Sequence, residues 1–185
     1  MTLRRGFKAQ AERLAAEQRE ELQLRVMDRL DPWRLAEHLA IPVLTLAQFE
    51  DRVGSCEATR FFRSEGVEVF SAVTVSYGGY RVIVHNDGHA PTRQASNLAH
   101  ELSHTLLEHP ASGDLSPRGC AQVDASIEEE ADWLMGVLLV PRAGALWLAR
   151  QGHDVVSMAQ HFGVSESLCK WRVQATAIMR QVKAI

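Results

Sequence analysis

The strongest constraint in this chain is the run His100-Glu101-Leu102-Ser103-His104, embedded among apolar residues at helical spacing: Ala95, Leu98, Ala99, Leu102, Leu106 and Leu107. Successive residues of an α-helix turn by about 100°, so two histidines four apart differ by about 40° and can reach one cation from the same face. Glu101 then points along the edge of that face, where it can take a proton from water without becoming a ligand. The chain must bury one side of this helix and keep a cleft open against the other. A surface HExxH without function would be expected on a polar helix, and this helix is apolar.

A catalytic zinc takes three protein ligands and leaves a fourth position open. His109 follows His104 by five residues, about 140° away around the helix, and makes a poor third ligand. The next acidic run, Glu128-Glu129-Glu130-Ala131-Asp132, opens a helix with an apolar stripe through Ile127, Ala131, Leu134, Met135, Leu138 and Leu139. Glu128 and Glu130 both border that stripe, so periodicity leaves two candidates. Asp132 follows Glu128 by four residues, and such a pair lets one carboxylate bind metal while the other holds a ligand histidine by its second ring nitrogen. The expected site is therefore one Zn2+ on His100, His104 and Glu128, with Glu101 as the catalytic base and Asp132 supporting a ligand from behind.

Ala9 to Met27 carries apolar residues at helical spacing among many charges. Asp31-Pro32-Trp33 starts a second helix that ends before Pro42, with aspartate as N-cap and proline in the first turn. From Gly66, Val67, Val69, Ser71, Val73 and Val75 suggest a strand, Gly78-Gly79 a turn, and Tyr80 to His85 the return of a β-hairpin. Pro91 opens the HExxH helix, which is expected to last to about His109, and a polar loop follows from Pro110 to Gln122. Asp124 or Ser126 caps the glutamate-led helix, and Pro141 ends or restarts it. Asp154 and Ser165 can cap two final helices separated by Gly163.

Lysine plus arginine number 20 against 23 acids, a net charge of −3, so no general attraction to nucleic acid or anionic membrane is expected. The longest apolar runs, such as Leu134 to Val140, fall far short of the roughly 20 residues of a membrane helix. Arg4, Arg5 and Lys8 lead into a charged helix, not the apolar centre of a secretory signal. Cys56, Cys120 and Cys169 show no CxxC spacing and read as free thiols in a reducing compartment. The expected location is cytoplasmic, away from membranes.

Ala159 to Ser165 looks like the middle of a helix-turn-helix, with Gly163 at the turn. Its second helix would present Glu166, Ser167, Lys170, Arg172 and Gln174, a mixed face with few cations for phosphates. Direct DNA binding is not expected, and a structural helix pair is favoured.

Arg93-Gln94-Ala95-Ser96-Asn97-Leu98-Ala99-His100-Glu101-Leu102-Ser103-His104, together with the stretch from Glu128 to Pro141 that ends Leu138-Leu139-Val140-Pro141, resembles the ImmA/IrrE metallo-endopeptidase family. Arg4 to Lys8 and Asp31 to Ala36 resemble its helical opening, and Arg81 to Asn86 its strand before the active helix. The register implies Glu128 as the third zinc ligand. Asp132 and Trp133 stand where many relatives carry asparagine and a smaller residue. The resemblance implies a zinc-dependent endopeptidase making site-specific cuts in a protein partner, a helix-turn-helix transcriptional repressor or antitoxin.

The fold expected is a mainly helical, zincin-like α+β domain over residues 1–185, with a small sheet of about three strands beside the active-site helix. A helical portion spans about 1–60, the hairpin and zinc-binding core about 61–141, and C-terminal helices about 142–185. Competing functions are a non-proteolytic transcriptional regulator or repressor-binding protein that retains a zinc site, and a metal-dependent hydrolase of smaller substrates. His85, His89, Arg93, Tyr77 and Tyr80 are unranked candidates for an oxyanion donor.

Overall fold

Phe7, Ala11 and Ala15 recur four residues apart and are all buried, which gives the first helix, α1 (Phe7–Glu21), its inward stripe. In the computed structural model, which describes residues 3–54, 60, 64, 70–77, 80–109 and 125–182, this helix ends six residues before Met27. Gln23 adopts a left-handed conformation (φ 57°) and the Leu24 amide donates back to the Arg19 carbonyl. That is a helix-ending turn built on a residue other than glycine, so composition did not announce it.

Asp31 caps α2 (Pro32–His38) by accepting from the Trp33 amide at 3.0 Å. A three-residue strand β1 (Val43–Thr45) follows, too short to show alternation. Thr45 then opens α3 (Leu46–Val53) through a reciprocal capping box with Gln48. The hairpin strands are β2 (Ala72–Tyr77) and β3 (Tyr80–His85). They pair antiparallel with Ala72 opposite His85, while β1 runs parallel to β3 with Val43 opposite Ile83, giving the order β1-β3-β2. The expected hairpin start at Gly66, its Gly78-Gly79 turn, the loop from Pro110 to Gln122 and the cap at Asp124 lie outside the described residues.

The HExxH helix is α4 (Pro91–Leu106), opened by its proline, and the glutamate-led helix is α5 (Ala125–Leu139). They pack against each other, with α1 on the far side of α5 and the hairpin against α4. Leu98 and Leu102 from α4 and Leu134 and Leu138 from α5 are completely buried in one core. Each such side chain contributes about 1.5–3 kcal/mol on leaving water. The core thus clamps together the two helices that carry the histidines and the acids.

Four further helices follow among the described residues: α6 (Arg142–Arg150), α7 (Val155–Phe162), α8 (Glu166–Ala175) and α9 (Ile178–Val182). Asp154 and Ser165 cap α7 and α8, and Gly163 makes the left-handed turn between them (φ 67°). Arg172 does not face outward with Lys170. It is 1% exposed, donates from Nε to the Val140 carbonyl at 3.3 Å and from Nη2 to Glu12 at 3.0 Å. Arg19 reaches the same place from α1 and donates to the Leu138 carbonyl at 3.0 Å. Two buried cations therefore satisfy carbonyls at the end of α5, where the helix dipole is negative.

Cys169 is buried and free, and burial pushes its thiol up to about 11. Among the described residues no single helix is long and apolar enough to cross a membrane. The bent pair α5 and α6 reaches that composition jointly, but its apolar side chains fill the core.

Candidate metal centre

His100 and His104 project from one face of α4 toward the first turn of α5. Their Nε2 atoms are 3.0 Å apart; Glu128 brings Oε2 to 3.1 Å from His100 Nε2 and Oε1 to 3.5 Å from His104 Nε2. Ligand atoms at about 2.0–2.1 Å from a tetrahedral zinc are separated by about 3.3 Å, so this donor set is spaced for such an ion. His100, His104 and Glu128 form a group that could hold a metal ion.

Both histidines are oriented from behind. His100 Nδ1 is 3.0 Å from Asp132 Oδ1, and since a carboxylate only accepts, Nδ1 carries a proton, which reserves Nε2, turned toward the cluster, as the atom a metal could take. Burial lowers the His100 pKa, but the hydrogen bond to Asp132 and the charges of Asp132, Glu101 and Glu128 outweigh it and leave the group raised. For His104 burial dominates, His100 and His109 add to it, and the group falls to about 4 despite Glu128. A neutral imidazole is the form that can donate a lone pair.

Glu101 is next to the cluster but outside the donor group. Its Oε2 accepts a 2.6 Å hydrogen bond from the Thr74 hydroxyl on β2. Burial raises its pKa, and the Thr74 hydrogen bond and His100 only partly oppose that. A carboxylate held this way is a stronger base than one in water. Thr74 was not singled out in the sequence; its place inside a strand gave no chemical signal.

Glu130, the rival third ligand, turns elsewhere. Its Oε1 accepts from Arg4 Nε at 2.7 Å and its Oε2 lies 3.4 Å from His109 Nε2. A cleft of about 340 Å³ opens over the cluster, lined by Ser71, Ala72, Asn97, His100, Glu101 and Glu128. His85, His89 and Arg93 do not line it, and the side chains of Tyr77 and Tyr80 lie outside the described residues. Asn97, one turn before the histidines, does line it.

The IrrE N-terminal-like domain model, a peptidase family designated M78, matches residues 60–173. The chain belongs to this family. A search of curated proteins finds no match. The span shared with the IrrE-like peptidases includes β2, β3, α4 and α5, and so every residue of the cluster, Glu101 and Asp132. It begins after α1 to α3, so Arg4 and the capping Arg19 come from outside the matched domain. Family membership makes this a metallopeptidase-type domain.

Proposed function

We propose that the chain is a zinc-dependent endopeptidase that cuts a protein partner at a defined site, the partner being a helix-turn-helix repressor or antitoxin. The observation that carries this reading is the convergence of His100 Nε2, His104 Nε2 and a Glu128 oxygen beside a buried carboxylate, Glu101, at the wall of a cleft. Two imidazoles, one carboxylate and an open side make up the donor chemistry of catalytic zinc. The partner class rests on the family likeness.

In this reading His100, His104 and Glu128 hold the ion and Asp132 fixes the ring of His100. A bound zinc supplies Lewis acidity, bringing the pKa of water in the site to about 7 and polarising the scissile carbonyl. Glu101 accepts the proton of the attacking water and later delivers it to the leaving amine nitrogen. Thr74 keeps the carboxylate aimed while this happens. Among the described residues β2 pairs with β3 on one side, and an extended substrate segment would align along its other edge by main-chain hydrogen bonds in this reading.

Metal analysis of the purified protein tests the site. Wild type is expected to hold about one zinc per chain, and Glu128→Ala to lose it. Loss in Glu130→Ala with retention in Glu128→Ala would overturn the ligand assignment. Incubation with purified helix-turn-helix repressors and antitoxins, followed by intact-mass analysis, tests the substrate class.

A further inference from the structure

The second histidine of the cluster has an unusual partner. His104 Nδ1 faces Nδ1 of His109 at 3.0 Å. The opposite nitrogen of His109, Nε2, faces Oε2 of Glu130 at 3.4 Å, and Glu130 in turn accepts from Arg4. His109 is buried (8% exposed) and Glu130 nearly so at its side chain (14%).

The backbone explains how a residue 140° around the helix reaches this place. α4 ends at Leu106; Glu108 takes a left-handed conformation (φ 55°), its amide donates to the Thr105 carbonyl, and the His109 amide donates to the His104 carbonyl at 2.9 Å. This six-to-one closure folds the chain back under the last turn. The two rings then meet edge to face, with centroids 5.1 Å apart. A left-handed non-glycine residue costs roughly 1–2 kcal/mol, so the turn is held against a local preference.

With a metal taking the Nε2 lone pair of His104, hydrogen-bond polarity orders the protons behind it. The Glu130 carboxylate can only accept, so a neutral His109 donates from Nε2–H and keeps a bare Nδ1. That atom can accept from His104, which then carries its proton on Nδ1 and keeps Nε2 for the metal. We infer that His109, held by Glu130, is a positioning residue that sets the tautomer and ring orientation of His104 for metal binding, as Asp132 does for His100. The inference rests on His104 being a metal ligand, as proposed above. Arg4 ends the relay but is more than half exposed, so its pairing with Glu130 adds little.

Two measurements on the full chain test this. Imidazole nitrogen NMR of the zinc-loaded wild type reads the tautomers directly and needs no variant to fold. His109 as the Nε2–H form, its Nδ1 accepting from the Nδ1–H of His104, is the expected result, and His109 protonated on Nδ1 would overturn the proposal. The second measurement is zinc affinity by chelator competition, with the visible spectrum of the cobalt-substituted protein. His109→Phe should bind zinc about 10- to 100-fold more weakly than wild type with a shifted cobalt spectrum, and His109→Gln, whose amide oxygen can accept from His104, should recover much of the loss. Wild-type affinity and an unchanged spectrum in His109→Phe would refute the relay while leaving the ligand assignment standing. A wild type whose zinc is unaffected by Glu128→Ala would instead remove the site reading, and the relay with it.

Discussion

The Thr74 hydroxyl donates a 2.6 Å hydrogen bond to Glu101 Oε2, tying strand β2 to the residue that follows the first histidine of α4. The contact spans 27 residues of sequence and joins two of the elements that wall the cleft. Thr74→Val removes the donor and keeps the side-chain shape. Steady-state kinetics on a cleavable substrate should show kcat reduced by about tenfold, a fraction of the 10²–10⁴ that a general base supplies, with zinc content unchanged. An unaltered kcat would mean that Thr74 plays no part in aiming the base.

Asp132 makes a similarly local prediction. Its Oδ1 holds His100 Nδ1 at 3.0 Å, and Asp132→Ala should weaken zinc binding by about 10- to 100-fold while the protein stays folded. Asp132→Asn, which keeps an acceptor oxygen, should lose less. Equal affinities in wild type and Asp132→Ala, measured against a chromophoric chelator, would leave Asp132 an ordinary helix residue.

The contrast between Asp132 and His109 shows what can be read from sequence. His100, His104, Glu128 and Asp132 sit on two helices at four-residue spacings, and helical geometry alone brings each pair onto one face. His109 reaches His104 through a left-handed Glu108, and no glycine marks that turn. Thr74 and Arg172 depend on packing between distant segments, which periodicity does not encode; the amphipathic pattern of α8 even suggested that Arg172 faced outward. β1 was too short to alternate, while the hairpin strands, with their run of β-branched residues, were legible at once.

Gly144 lies in α6, where a Cβ would fall 2.1 Å from the carbonyl oxygen of Val26. Glycine to alanine inside a helix ordinarily stabilises by up to about 1 kcal/mol. Here the sign should reverse, because the obstructing atom is backbone and cannot step aside, and Gly144→Ala should lose about 1–3 kcal/mol in urea denaturation. A stabilised variant would show that α6 and the Val26 segment do not approach as described.

The helix pair α7 and α8 should not bind duplex DNA tightly, since burial removes Arg172 from a face already poor in cations. Arg172→Ala should instead destabilise the protein by about 1–3 kcal/mol, leaving the Val140 carbonyl without its donor. Gel-shift titration at low and moderate salt checks the first expectation and thermal unfolding the second. Tight, salt-sensitive binding lost in Lys170→Ala would restore the regulator reading.

If Glu101 acts as the base beside a metal held by other residues, Glu101→Gln separates the two roles. The amide keeps the size of the carboxylate but cannot take up the proton of the attacking water. Wild type and variant are incubated with purified helix-turn-helix repressors, cleavage is followed by intact mass, and zinc is measured in the same samples. A single defined cut by wild type, none by Glu101→Gln, and about one zinc per chain in both is the predicted result. Cleavage by Glu101→Gln at the wild-type rate, or loss of its zinc, would contradict it.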